Sequence, residues 1–242
     1  MNDDPAPPSI SVIIPAYNEE ACIGACLRSL AGQAVDLRYE VVLVDNNCRD
    51  RTIERAREAS EGLDLRIVRE RIQGRGAARR TGFAAARGHL LFSADADTEY
   101  PVSWLRSFAT ALTMSGADAV TGCCRVDDLG RLKNALFNLA HPSTMRLYRL
   151  VFGHYWLSGF SFAIRRDIYH ASGGFDPALN AEEDLDLSFR VSRIATISFI
   201  DLPVTFSGRR FRQGLLKGSM EYLMLLVNYR WRKAHVRLSD VR

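Results

Sequence analysis

Asp95-Ala96-Asp97 directly follows the apolar run His89-Leu-Leu-Phe-Ser93. Carboxylates that alternate at the end of a strand can reach a hard divalent cation and a ribose hydroxyl together. Mn2+ or Mg2+ held there would bridge the two phosphates of a diphosphate and neutralise the charge that builds as it leaves. Taken alone the triplet is a weak signal, because surface loops carry Asp-x-Asp by chance. A second acidic group, Glu182-Glu183-Asp184, opens a helical pattern whose apolar positions are Leu185, Leu187, Phe189 and Val191. One of these carboxylates could accept a proton from an attacking hydroxyl as a general base. By itself the group is explained more simply by the helix dipole, which favours negative charge at an N-terminus.

Cations crowd two stretches, Arg69, Arg71, Arg75, Arg79 and Arg80 in the first, and Arg209, Arg210, Arg212, Lys217, Arg230, Arg232 and Lys233 in the second. Each reads as a solvated face, or as a contact for a phosphorylated ligand or an anionic membrane surface. Arg209-Arg210, after Ser207-Gly208, offers a guanidinium whose geometry suits the paired oxygens of a diphosphate, and Arg210 is the candidate clamp. A formal charge of +4 beside 32 basic and 28 acidic residues does not call for nucleic acid as a partner. The five cysteines are odd in number and lack the paired C-x-x-C spacing of a zinc site, so a reducing cytoplasm is the expected compartment. The five histidines stand in no ligand pattern and are left out of the candidate site.

These residues need elements to position them, and 242 residues with 47% hydrophobic and 25% charged side chains suffice for one domain with a substantial core. Strand-like runs at Ser9–Ile14, Tyr39–Val44, Leu65–Val68 and His89–Ser93 alternate with helical patterns near Glu19–Ala31, Arg51–Ser60 and Gly76–Arg87. Such alternation predicts a mainly parallel α/β sheet with helices on both faces. Ligands of such sheets bind beyond the carboxyl ends of the strands, so the loops after Ile14, Val44, Val68 and Ser93 should meet at one crevice.

The second half reads as a helix from about Pro101 to Met114 and a strand near Ala119–Thr121, then a helical stretch near Leu129–Phe152. A strand near Phe160–Ile164 and a helix near Glu182–Ser192 follow. The run from Phe211 to Trp231 has one apolar face with Arg212, Lys217 and Arg230 among it. A helix closing the core and a helix lying on a membrane surface are its two readings. Met1 to Pro8 is polar and proline-rich, and no uncharged run reaches about 18 apolar residues, so a soluble or peripheral protein is expected. No G-x-G-x-x-G follows the first strand, which argues against a dinucleotide-binding dehydrogenase.

Six motifs in order resemble the family 2 glycosyltransferases, which have the nucleotide-binding glycosyltransferase-A fold. They are Ser11-Val-Ile-Ile-Pro-Ala-Tyr-Asn-Glu-Glu20, Val42-Leu-Val-Asp-Asn-Asn47 with Asp50, Gly76-Ala-Ala-Arg-Arg-Thr-Gly82, Asp95-Ala-Asp97, Gly173-Gly-Phe-Asp176 and Glu183-Asp184. The resemblance covers about residues 9–210. It implies a single domain with a Rossmann-like sheet, a nucleotide-sugar-binding half (1–97) and an acceptor-binding half (98–210), followed by a basic amphipathic helix (211–242).

The resemblance also implies roles. Pro15, Ala16, Tyr17 and Glu19 match the first nucleotide-contacting loop, Asp45 the residue that meets a uracil edge, and Arg79 the segment near base and phosphates. Asp95 would face the ribose or sugar and Asp97 the metal, Mn2+ or Mg2+. Asp184 matches the catalytic base of inverting members, with Glu183 its acidic neighbour. Trp156, Ser158, Gly159 and Phe160 fall where the family lines the acceptor side, although a core aromatic accounts equally well for Trp156. The implied partners are a nucleotide-diphosphate sugar, most simply a uridine one, and a glycan, lipid-linked or small-molecule acceptor. A polyprenyl-phosphate acceptor and a non-catalytic nucleotide-sugar-binding module are the alternatives. The expected location is cytoplasmic, or peripheral at the inner face of the membrane through the C-terminal helix. Two positions depart from the family pattern: Asp45-Asn46-Asn47-Cys48 replaces Asp-Asp-Gly-Ser, and Ala78-Arg79-Arg80 replaces Ala-Arg-Asn.

Overall fold

A computed structural model describes residues 8–211, with side chains through Arg209. The first half follows the predicted alternation: β1 (Ile10–Ala16), α1 (Ile23–Ala31), β2 (Tyr39–Asp45), α2 (Thr52–Glu58), β3 (Leu65–Arg69), α3 (Arg75–Ala85) and β4 (Leu90–Ala94). The second half contains β5 (Thr98–Glu99), α4 (Trp104–Met114), β6 (Ala119–Arg125), α5 (Arg131–Phe152), β7 (Ser161–Arg165), α6 (Arg166–Ala171), α7 (Glu183–Val191) and β8 (Ile197–Phe206), and a 3-10 turn at Gly208–Phe211. Of these, β5, α6 and β8 are additions to the sequence reading. The first helix begins at Ile23 rather than Glu19, because the carbonyl of Glu19 accepts the Cys22 and Ile23 N–H groups in a turn while its own N–H donates to Thr52 Oγ1.

All the strands join one eight-stranded sheet in the order β3-β2-β1-β4-β7-β6-β8-β5. β1 to β4 are mutually parallel, β7 runs against both neighbours, β6 and β8 are parallel, and β5 pairs antiparallel with the end of β8. The sheet is therefore mostly parallel, as expected, with β7 and β5 the strands that run the other way.

Side-chain alternation along each strand splits the core in two. Val12 and Ile14 of β1 point with Phe92 toward Leu27, Leu30, Trp104 and Phe108 of α1 and α4. Ile13 and Val42 point the opposite way, toward Phe83, Tyr169, Leu187 and Val191 of α3, α6 and α7, with Phe162 and Phe175. The five cysteines are free thiols, buried or half-buried. No helix among the described residues is long and apolar enough to cross a membrane. The amphipathic run expected from Phe211 to Trp231 lies, beyond its first residue, outside the described residues.

Close packing of α3 on the sheet rests on Gly82, where an added Cβ would come within 2.4 Å of Ile13 Cγ2 and 2.7 Å of Val44 Cγ2. Overpacking of this kind costs about 1–3 kcal/mol. Gly82→Ala is expected to lower the urea midpoint accordingly without changing the slope of the transition.

Candidate active site

The loops at the carboxyl edge of the parallel strands are tied to one another by a buried side chain, Asn46, and by half-buried ones, Asn18 and Asn47. Asn46, after β2, donates through Nδ2 to the Glu70 and Ile72 carbonyls at 3.1 and 2.7 Å and accepts the Gly74 N–H at 2.9 Å through Oδ1. Asn47 donates to the Arg71 carbonyl, and Asn18 accepts the Arg49 N–H. Asn18 and Asn47 hold left-handed backbone at φ 54° and 68°, a conformation asparagine tolerates better than most residues. The departure at Asn46-Asn47 thus has a structural reason: amides, able to donate as well as accept, staple the loop after β3 where carboxylates could only accept. Asp45 closes its own turn, accepting the Cys48 N–H at 2.8 Å. Ala16 is buried and accepts the Asn46 N–H, Pro15 is the one half-buried residue of β1, and Tyr17 stands half-buried beyond the strand.

Behind these loops, Arg79 of α3 is 2% exposed and turned into the protein. Its Nη2 lies 2.6 Å from Asp95 Oδ1, its Nε 3.3 Å from Glu183 Oε1, and its Nη1 donates to Ser93 Oγ. The guanidinium also stands 5.9 Å from the Phe175 ring. Expected to approach the nucleotide, Arg79 instead links the end of β4 to the start of α7; the sequence conveys its charge but not its direction. The same junction holds Gly159, before β7, whose N–H donates to Asp184 Oδ2 at 2.9 Å and whose carbonyl accepts from Ser93 Oγ at 2.8 Å. A Cβ there would fall 2.5 Å from Arg79 Nη2.

Asp184 stands in the first turn of α7, its Oδ1 accepting the Leu185 N–H at 2.7 Å. Burial raises its pKa, against the lowering effect of the Gly159 N–H, Arg79 and the Trp156 indole. Trp156 is therefore both a packed aromatic, 5.8 Å from the Tyr148 ring, and a neighbour of the candidate base. Glu183 is pushed up to about 7 by burial and then by the charge of Asp184, opposed by Arg79. Its Oε2 is buried with no hydrogen-bond partner among the described residues.

A second guanidinium completes the arrangement. Pairing of β5 with β8 lays Ser207 against Asp97, and the turn that follows brings in Arg209. Arg209 grips Glu19 with both terminal nitrogens at 3.0 and 2.7 Å, and its Nη2 is 2.8 Å from Asp97 Oδ2. Asp97 is pushed up to about 6 by burial and the charge of Asp95, with Arg209 acting against them. Of the arginine pair, Arg209 is the one seen in the site; the Arg210 side chain lies outside the described residues. Arg75, at the start of α3 and named from sequence only as part of a basic stretch, is a further cation here, and its charge lowers the pKa of both Asp97 and Glu183.

No group of three His, Cys, Asp or Glu side chains among the described residues could hold a metal alone. Asp97, with Asp95 and Glu19 beside it, nevertheless presents hard oxygen donors at a place already balanced by a cation, Arg209. Mg2+ or Mn2+ commonly binds through one or two carboxylates and shares the rest of its shell with substrate phosphates, and these residues fit that mode.

The topology and the carboxylates on its edge define the glycosyltransferase-A fold. Two solved structures carry the likeness. S. aureus TarS 1–349 in complex with UDP-GlcNAc superposes with a TM-score of 0.65 at 21% identity, over 82% of this chain and 58% of that one. Mannosyltransferase PcManGT from Pyrobaculum calidifontis, in complex with GDP-Man and Mn2+, gives 0.63 at 22% identity, over 91% and 67%. The model for glycosyl transferase family 2 matches residues 11–173, and the chain belongs to that family of sugar-transferring enzymes. A dolichol-phosphate mannosyltransferase of Pyrococcus furiosus is 26% identical over 88% of this chain and 61% of its own length. The chain spans about half the length of the curated relatives it matches.

The raised pKa of Glu183 fixes the sign of a pH effect. A carboxyl that titrates near 7 in the folded chain and near 4.5 when unfolded favours folding fully below 4.5, and this contribution is lost as pH rises through about 7. In Glu183→Gln, denaturant unfolding measured at steps between these limits should show a shallower fall of stability with pH than the parent.

Proposed function

We propose that this chain transfers a sugar from a nucleotide-diphosphate donor to an acceptor oxygen, with inversion at the anomeric carbon. The observation that carries the reading is the convergence of five carboxylates, Glu19, Asp95, Asp97, Glu183 and Asp184, around two guanidinium groups, Arg79 and Arg209. Such an edge has an excess of negative charge and favours a divalent cation that in turn carries a diphosphate. Pro15, Ala16, Tyr17 and Asp45 line the approach for base and ribose, Asp95 takes the ribose or sugar, and Asp97, with Glu19 near it, holds Mn2+ or Mg2+. When bound, the ion supplies neutralisation of the leaving diphosphate. Arg75 and Arg209 are the cations available to its remaining oxygens, and Arg209 must let go of Asp97 as the donor enters.

On the acceptor side, Asp184 takes the hydroxyl proton as the acceptor oxygen bonds to the anomeric carbon and the nucleoside diphosphate departs. Burial that raises its pKa makes it a stronger base than an exposed aspartate. Glu183 and Gly159 hold Asp184 and Arg79 in register, and Trp156 walls the acceptor space. A uridine donor follows from the match of Asp45; TarS with UDP-GlcNAc and PcManGT with GDP-Man and Mn2+ support a nucleotide sugar with metal for this fold, and leave the base to be measured. A second reading, a polyprenyl phosphate as acceptor, is favoured by the likeness to the dolichol-phosphate mannosyltransferase. Phosphate oxygen is already ionised and needs little help from a base.

Calorimetry with uridine and guanosine diphosphate sugars in Mn2+ or Mg2+ is expected to show metal-dependent binding that Asp97→Ala abolishes. Failure of every nucleotide sugar to bind would refute the donor site. With the preferred donor, Asp184→Asn is expected to cut kcat about 10²–10⁴-fold with donor affinity kept, the range for loss of a general base. A loss below about tenfold, with polyprenyl phosphate accepted, would move the assignment to the second reading.

A further inference from the structure

The longest helix among the described residues turns an apolar face away from the protein. α5 runs 22 residues, from Arg131 to Phe152, without one acidic side chain. Its inward residues recur every three or four positions: Asn138 exchanges hydrogen bonds with the Val126 backbone, His141 receives the Cys124 N–H, and Met145 and Tyr148 are buried. On the opposite face Leu132, Leu136 and Leu139, and beyond an exposed Ser143 Leu147 and Leu150, stand three or four positions apart within each group, and Leu139 and Leu150 are 80% and 82% exposed. Arg131, Lys133, Arg146 and Arg149 flank them. A surface helix ordinarily points its polar residues outward. Exposed leucines gathered on one face of a helix mark a partner.

Charge selects the partner. Arg146 pairs with Asp201 at 3.1 Å, and Arg149 lies 5.0 Å from the Tyr155 ring. A second copy of α5 would set its four cations against four like charges. Residues 212–242 carry Arg212, Lys217, Arg230, Arg232, Lys233, Arg237 and Arg242 against Glu221 and Asp240, a net positive charge that as a whole offers the cations of α5 no counter-charge. Leucines flanked by cations match the acyl boundary and headgroups of an anionic bilayer, the pattern of an interfacial amphipathic helix. We infer that α5 is a membrane-docking helix that seats Leu132, Leu136, Leu139, Leu147 and Leu150 in the surface of an anionic lipid bilayer.

This placement is carried by α5 alone and does not rest on the reading of the crevice. It does set the bilayer close to that crevice, because Tyr148 and Phe152 at the inner end of the helix pack with Trp156 and Phe189, and Trp156 meets Asp184. A lipid-borne acceptor would then be delivered along the wall that Trp156 forms.

The test uses the full chain in vesicle flotation, with phosphatidylcholine alone and with equal parts of phosphatidylcholine and phosphatidylglycerol. The parent should float only with the anionic vesicles, and less at high salt. A variant combining Leu139→Glu, Leu147→Glu and Leu150→Glu should lose more than about tenfold of that partition while keeping its melting temperature, since the three side chains face solvent. Unchanged flotation of this variant would overturn the inference. So would a parent dimer that the same variant converts to monomer, which would identify a second copy as the occupant. A separate Leu147→Trp protein reads the helix itself: its added emission should be quenched by brominated phosphatidylglycerol. Flotation without that quenching would place the contact in residues 212–242 and reject α5.

Discussion

A guanidinium removed from water is tolerated only where ion pairs and hydrogen bonds replace its hydration, and Arg79 meets that condition with groups from two distant parts of the chain. Asp95 lies at the end of a parallel strand and Glu183 at the start of a helix 88 residues later, computed from their numbering. The cation could not be buried without such partners; of the two carboxylates Glu183 is buried with it, while Asp95 keeps part of its side chain exposed. This pairing fixes where β4 ends relative to where α7 begins. These elements carry the two groups of candidate carboxylates, so the distance between the groups is set by an ion pair and not by a flexible loop.

The surrounding packing serves the same junction. Gly159 has to lack a side chain because Arg79 and Asp184 occupy the space a Cβ would take. Ser93 accepts from Arg79 and donates to the Gly159 carbonyl, joining strand end, helix and loop through one hydroxyl. Asp97 is positioned by a different device, the short pairing of β5 with β8 that brings Arg209 in from the far end of the sheet. Arg79 is locked and Arg209 is half-exposed, and this difference in burial separates a cation that shapes the site from one that can change partners.

The parallel half was legible because its strands are uninterrupted β-branched and aliphatic runs, covered on both faces, with loops that collect Asn, Asp, Gly and Pro. Asp95, Asp97, Asp184 and Glu19 could be found because each follows or begins a periodic element. β8 was not legible: it contains Asp201 and Pro203, and its mostly half-buried residues give no clean alternation. Without β8 there was no means of seeing that Arg209 reaches Asp97, since the contact depends on a pairing more than a hundred residues apart in sequence. Arg79 was found as a residue and misjudged in direction, because a one-dimensional pattern gives charge and helical phase but not which carboxylates wait in the interior. Asn46 shows the reverse case, a departure from the family pattern whose reason appears only when the loop it staples is in view.

Protons and cations compete for the same carboxylates at this edge. Asp97 and Glu183 titrate near 6 and 7 because burial and neighbouring negative charge make their ionised forms unfavourable. An added positive charge beside Asp97 lowers the need for a proton, so cation binding must release protons and must strengthen as pH rises through this range. The unloaded chain moves the other way, losing stability as the same groups ionise without compensation. A carboxylate set crowded by its own charge would thus be relaxed by a cation placed among it. Under the proposed function, the negative excess that disfavours the crevice by itself is what would favour a cation carrying a diphosphate.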